Sequence, residues 1–393
     1  MGLPGATAHL AAAEIPTRYN YKPRALNTPI GTARGVFPGR VVWAHDPLAA
    51  RWGGQVEAQS GHWWQDTITD QKRVDAMLSN TLRSLTGTAN DKGAWSKMFL
   101  YYNEQARGLH RSYLPGEVVA VKVNLNNSSA AGPGNIVNVS PQVCLAMVRQ
   151  LVVQAHVNPS DIVIYDARRN IYPALLTKVW SKFPEVRFVQ WDAPVAPQPK
   201  NPSTGDYRGL EQAQWIESVS YSVNQNEYYD AKLIPRQIKD ATYLVNVALI
   251  KAHSYPHAAA EGGDEGQTGV TMTGKNHFGS IKGTPELHGA INTNRQGTAH
   301  AYSPIVDLAA SPISAPKRSC MSWTVSIAPA ATNPIRCIFL TLPSTTASPH
   351  TKTRNGHQAY WHRWMAWRSI PWDSIFSFRN RRTMKMNRVT HAL

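Results

Sequence analysis

Glu117-Val-Val-Ala-Val-Lys-Val-Asn124 and Asp161-Ile-Val-Ile-Tyr165 decide the fold, because of what lies between them. Both are short apolar runs rich in β-branched residues, the pattern of strands buried on both faces. Ser140-Pro141 supplies an N-cap and a first-turn proline for a helix running to about Ala155, with Val143, Met147 and Leu151 on its buried face. Asn158-Pro159-Ser160 breaks the chain before the second run. Strand, helix and strand with short connections predict a parallel pair joined by a right-handed crossover.

The alternation extends both ways. Arg40-Val-Val-Trp-Ala-His45 reads as a first strand, and residues 70–86 and 93–106 carry helical spacing, with Val74, Met77, Leu78 and Leu82 on one face. Downstream come a helix near 172–182, a strand at Arg187-Phe-Val-Gln-Trp191, and a strand over Ala241 to Ile250 that is apolar enough to be central. A polar excursion, 193–230, interrupts the alternation and is expected as a cap or edge insertion. The predicted class is therefore α/β: a mainly parallel sheet with flanking helices, forming one large domain over 40–310 with that excursion inserted. No apolar run approaches the length of a membrane span.

The two ends differ from this body. Residues 1–39 read as an extended arm, and Met1 to Glu14 as either the remnant of an export signal or an Ala-rich leader. From Lys317 onward the chain carries 12 of its 41 Lys and Arg but one of its 25 acidic residues, Asp373, together with five of the 13 Trp and two of the three Cys. Reading the third base of each codon with the first two of the next, the Trp323–Thr324 junction must encode Asp. The junctions from Lys317 to Ser326 then permit Thr-Val-Met-Tyr-Val-Met-Asp-Gly-Leu, a buried strand ending in a turn. The same shift from Trp364 to Phe376 permits Asp-Gly-Val-Ala-Ile-Asp-Ser-Val-Gly-Phe-Asp-Phe-Leu. Residues 311–393 thus read as an irregular, out-of-frame tail that starts between Leu308 and Pro312. The alternative is a genuine basic, Trp-rich segment that binds nucleic acid or membrane. Without the tail, 29 basic residues face 24 acidic ones, a balance that gives no reason to expect a nucleic-acid partner. Cys144 is then the lone cysteine, which excludes a disulfide framework and a structural zinc site.

Candidate chemistry gathers where the predicted strands end, since ligands of open parallel sheets sit beyond the carboxyl ends of the strands. The first central strand ends in Lys122, Asn124 and Asn126, the next in Asp166 and Arg168, and the last in Lys251 and His253. Lys122 lies inside an apolar run, opposite in direction to Val121 and Val123, so it must reach solvent or a partner. Thr271-Met-Thr273-Gly-Lys275-Asn276-His277-Phe-Gly279 is the densest further cluster. Gly269 to Lys275 has the spacing of a phosphate-binding loop, but Asn276 stands where a magnesium-binding Ser or Thr is needed, which leaves an anion- or carbonyl-binding turn. Asp166, His253, Lys275 and His277 are the candidate catalytic groups, with Lys122, Asn124, Asn126, Arg168, Lys251, Thr271, Thr273 and Asn276 as ligand-binding groups. A divalent metal held by His253 and His277 is a further option, although no tight His-Glu-x-x-His pair exists. The chain carries no nucleophile elbow, nicotinamide or nucleotide fingerprint, or iron–sulfur cysteine run.

Val119-Ala-Val-Lys-Val-Asn-Leu-Asn126, Ser160-Asp-Ile-Val-Ile-Tyr-Asp-Ala-Arg168, Tyr243-Leu-Val-Asn-Val-Ala-Leu-Ile-Lys-Ala-His253 and Gly269-Val-Thr-Met-Thr-Gly-Lys-Asn-His-Phe-Gly-Ser-Ile281 resemble the bacterial domain of unknown function numbered 362. The likeness covers roughly residues 36–308, and Gly-Lys-Asn-His-Phe-Gly is its most specific mark. The resemblance implies an exported protein, and its members continue with an Asp-Gly-Leu-like turn and an Asp-x-Val-Ala-Ile-Asp segment, which the shifted frame supplies. It implies no particular reaction. The expectation is an exported enzyme or binder acting on a small anionic or metal-linked ligand. A non-catalytic envelope recognition protein and a nucleic-acid binder acting through the tail are the alternatives, and oligomeric state is left open.

Overall fold

Helix boundaries in the computed structural model follow the local chemistry of their ends. The described residues are 35–51, 64–126, 138–221, 230–249, 252–254, 267–270, 273–283, 307–308, 336–340 and 387–389. After strand β1 (Val41–His45), helix α1 (Gln71–Thr86) starts at Asp70, whose carboxylate accepts from the Lys72 and Arg73 amides, and stops at Gly87 with φ of 64°. Arg40 donates to the Ser84 carbonyl and Lys97 to that of Thr86, so both cations sit at the negative end of α1, and both lie against the Phe37 ring. Helix α2 (Asp91–Tyr102) is capped by Asn90.

Strand β2 (Val119–Val123) leads to helix α3 (Pro141–Arg149), which opens at Ser140 and Pro141 as its sequence dictates and continues in a π turn to Gln154. Strand β3 (Ile162–Tyr165), helix α4 (Pro173–Trp180) and strand β4 (Arg187–Gln190) repeat the unit. The excursion expected as a cap or edge insertion contains β5 (Leu210–Gln212), which joins the sheet as an edge strand parallel to β4, and β6 (Trp215–Glu217). Three residues are too few to show a periodicity, and main-chain pairing with β4 makes this segment a strand. Strand β7 (Leu233–Pro235) pairs antiparallel with β6, and the short helix α5 (Arg236–Lys239) precedes β8 (Tyr243–Val247).

The result is a five-stranded, all-parallel sheet of order β5-β4-β3-β2-β8. Side-chain alternation divides it into two faces. Val119, Val121, Val123, Ile162, Ile164, Phe188, Val245 and Val247 form one core with the four long helices. Ala120, Val163, Tyr165, Val189 and Leu244 form a second with Ile238 of α5. A third, smaller cluster holds Val219, Tyr221, Ile234, Phe278 and Ile281 beneath a 3-10 helix, Thr273–Ser280. Among the described residues no helix is long and apolar enough to cross a membrane.

Strand β1 stands outside the main sheet. It packs on α1 and pairs antiparallel with β11 (Arg336–Leu340) and parallel with β12 (Asn387–Val389), while β9 (Ala252–Ser254) and β10 (Gln267–Val270) make a separate antiparallel ribbon. Strands β11 and β12 lie in the segment expected to be irregular, and the rest of that segment falls outside the described residues. Main-chain pairing is indifferent to side-chain pattern, so a short segment without useful periodicity can still add to the free edge of β1.

Candidate functional site

Register brings the polar groups together. Lys122 of β2 lies opposite Tyr165 of β3 and Asn246 of β8, in a row continued by Val189 of β4, and all four side chains share the face away from the long helices. Lys122 is 0 % exposed. A buried ammonium needs an acceptor for each of its hydrogens, and Lys122 has three: the Val123 carbonyl, Asp166 Oδ2 at 3.2 Å and Asn276 Oδ1 at 3.3 Å. Burial pulls its pKa below the ordinary lysine value, and Asp166 opposes that pull.

Asp166 serves more than the ion pair. Its Oδ2 accepts from the Leu125 amide at 2.9 Å and its Oδ1 from the Arg168 amide at 3.2 Å, which ties the turn after β3 to the end of β2. Asn276 completes the arrangement from the 3-10 helix. Its Oδ1 also accepts from Asn124 Nδ2 at 2.9 Å, and its Nδ2 donates to Asn246 Oδ1 at 2.6 Å. Asn124 Oδ1 is buried without a hydrogen-bond partner among the described residues. The 3-10 helix is seated further by the Gly279 carbonyl, which accepts from the Ala167 amide at 2.8 Å, and by Phe278 and Ile281 in the small core.

Beside this network runs a hydrogen-bonded chain: Tyr165 Oη to Ser280 Oγ at 3.0 Å, and Ser280 Oγ to His277 Nδ1 at 3.2 Å. Burial and the Lys122 charge push His277 down to about pKa 3, although part of the residue still meets solvent. The ring is therefore neutral at physiological pH.

Arg168 has a different environment. Its guanidinium lies 4.3 Å from the centroid of the Trp191 ring, and its Nε is buried with no hydrogen-bond partner among the described residues. Burial and the neighbouring Arg169 lower its pKa, with Asp166 and Asp230 acting in the opposite sense. Its Nε is closed to solvent, and no hydrogen bond from its terminal nitrogens is found among the described residues, so those nitrogens are the donors a stacked guanidinium can offer an anion.

The structure therefore brings together Lys122, Asn124, Asp166, Arg168, Asn276 and His277 from the sequence-predicted set. Asn126 is apart from them: its side chain is exposed, and its main chain bonds Asn138 and Arg169. Lys275 is nearly buried, with Nζ 5.1 Å from the Phe278 ring centroid. Lys251 and Thr271 lie outside the described residues, as do the side chains of His253 on β9 and Thr273 at the start of the 3-10 helix. Among the described residues no three His, Cys, Asp or Glu side chains cluster closely enough to hold a metal. Among the described residues the Gly269 to Lys275 stretch lacks the parallel strand and α-helix that flank a phosphate loop: β10 belongs to an antiparallel ribbon, and Thr273–Ser280 is a 3-10 helix.

Sequence reasoning missed Asn246, Ser280, Gly279, Trp191 and Trp215. Asn246 carries the signal that singled out Lys122, a polar residue inside an apolar strand; Gly279 closes the segment already identified as dense in useful groups, and Ser280 follows it directly. Elsewhere, a groove of about 540 Å³ opens on the helical side between α1 and α3. Within it Arg149 pairs with Asp75, and Gln150 and Ser79 bond Asp91, while Lys182 on its lining has no ion-pair partner among the described residues. A scan against protein-family models finds no match to this chain, and a search of curated proteins finds none either.

Proposed function

We propose that this protein binds a small anionic ligand at the carboxyl ends of β2, β3, β4 and β8, with Arg168 as the cation that holds the anion. The unused, ring-stacked Arg168 guanidinium carries this reading. Lys122, Asp166 and Asn276 act as its framework, because every Lys122 hydrogen already faces a protein acceptor. The proposal extends to an exported protein of the kind that the resemblance to domain-of-unknown-function family 362 implies.

A catalytic version is favoured by the Tyr165–Ser280–His277 chain. It engages Nδ1 of a neutral imidazole and leaves Nε2 without a protein partner among the described residues, the arrangement a general base requires. The test titrates wild type and Arg168→Gln with inorganic phosphate and with acetate by calorimetry. Wild type binds at least one saturably, and Arg168→Gln weakens that binding about tenfold or more, the loss of one charge-assisted hydrogen bond. No saturable binding, or equal binding by the variant, overturns the reading.

A further inference from the structure

Four tryptophans on or beside the parallel sheet fall into two classes. Trp95 and Trp180 are fully buried, and each indole N–H has an internal acceptor, Gln150 Oε1 at 3.0 Å and the Val186 carbonyl at 2.9 Å. Trp191, which follows β4, and Trp215, which opens β6, are only part-buried, and their rings meet at 5.4 Å and 59°. Neither indole N–H has a protein acceptor among the described residues. A fully buried Trp normally finds such an acceptor, whereas these part-buried rings leave their N–H groups without one inside the protein. Trp215 rests one side on the second core, which anchors it without covering it. Trp191 carries Arg168 on its ring.

We propose that Trp191 and Trp215 form a second subsite adjoining Arg168, so that the ligand is an aromatic anion: its carboxylate or phosphate pairs with Arg168 while its ring stacks on the indoles. This rests on the anion-binding reading above and adds the ligand's scaffold to it. Three features fit a flat aromatic group. The two indoles are tilted toward each other, a favoured geometry for ring pairs, and a third ring can adopt the same offset or tilted contact. The guanidinium beside Trp191 presents a planar surface of its own. The free N–H groups add donors at the edge of the stack, where an anionic substituent gains from them.

Matched probe pairs test this: benzoate against acetate, and phenyl phosphate against methyl phosphate, titrated into wild type, Arg168→Gln, Trp215→Leu and Trp215→Phe. In wild type the aromatic member of at least one pair binds about tenfold more tightly than its methyl counterpart. Trp215→Leu removes that advantage and leaves the methyl probe unchanged. Trp215→Phe keeps most of it, which separates a lost ring contact from a misfolded protein. Arg168→Gln weakens both members of the pair. Which pair responds identifies carboxylate or phosphate as the anion. If methyl probes bind through Arg168 but the rings add nothing, or if Trp215→Leu keeps the ratio, the aromatic subsite is overturned and the anion site stands. If no probe depends on Arg168, both fall.

Discussion

Gly279 is pressed against Asp166: a Cβ added at Gly279 would lie 2.5 Å from Asp166 Oδ1 and 2.6 Å from Lys122 Nζ. The 3-10 helix thus packs on the strand ends at a position that has no side chain of its own. Asp166 cannot swing aside, since both of its oxygens are held by main-chain amides and one also by Lys122.

Gly279→Ala should therefore dislodge the 3-10 helix or break the Asp166 network. A loss of about 1–3 kcal/mol is expected, the usual consequence of overpacking. Urea denaturation of the variant measures it, and an unchanged midpoint would show that the contact relaxes freely.

Lys122→Met leaves Asp166 buried without its cation. Removing one partner of a buried pair costs about 3–5 kcal/mol. Because the two residues share one network, Lys122→Met combined with Asp166→Asn should lose much less than the sum of the single changes. Strict additivity in that double-mutant cycle would mean the pair is not coupled.

His277 should stay neutral far into acid. Its folded pKa, about 3, lies below the ordinary 6.5, so the unfolded chain takes up a proton that the native ring refuses, and native stability falls as pH drops from 6.5 toward 3. A proton NMR titration of the ring should show no midpoint between pH 5 and 8. Lys122→Met should move the midpoint upward, because the Lys122 charge is one of its causes. A wild-type midpoint near 6.5 would show that neither burial nor the Lys122 charge acts on the ring.

Glu117 makes a second, separable pH signature at the other end of β2. Burial pushes its carboxyl upward, but hydrogen bonds from Arg111, the Leu114 amide, Tyr243 and Arg107 outweigh burial and hold it at about 2. The native state then keeps the carboxylate ionised while the unfolded chain protonates near 4.5. This contribution is complete above 4.5 and is lost as pH falls toward 2. Glu117→Gln should be less stable than wild type at pH 6, with the gap closing between pH 4.5 and 2. A gap that does not change with pH would show that charge is not the source.

Much of the scaffold was legible in local order. Ser140-Pro141 announced α3, apolar runs announced β2, β3 and β8, and the alternation of Lys122 against Val121 and Val123 placed its ammonium on the opposite face from the main core. These signals are local, because propensity, capping and side-chain period act over a few residues. The same locality explains the misses: β5 and β6 are three residues each, and β1 reads as a strand without revealing which sheet it joins.

What the sequence determined by itself was therefore an α/β chain with polar groups at its strand ends. It did not determine their partners. Lys122 meets Asp166 across 44 residues and Asn276 across 154, and Trp191 meets Trp215 across a segment that displays no regular period. Such contacts exist only after parallel pairing has set the register and the 3-10 helix has docked on the exposed face, because burial makes an unpaired ammonium too costly and leaves Asp166 and Asn276 as its nearby acceptors. Tertiary structure decided which cation is paired within the protein, Lys122, and which keeps an Nε without a hydrogen-bond partner among the described residues, Arg168.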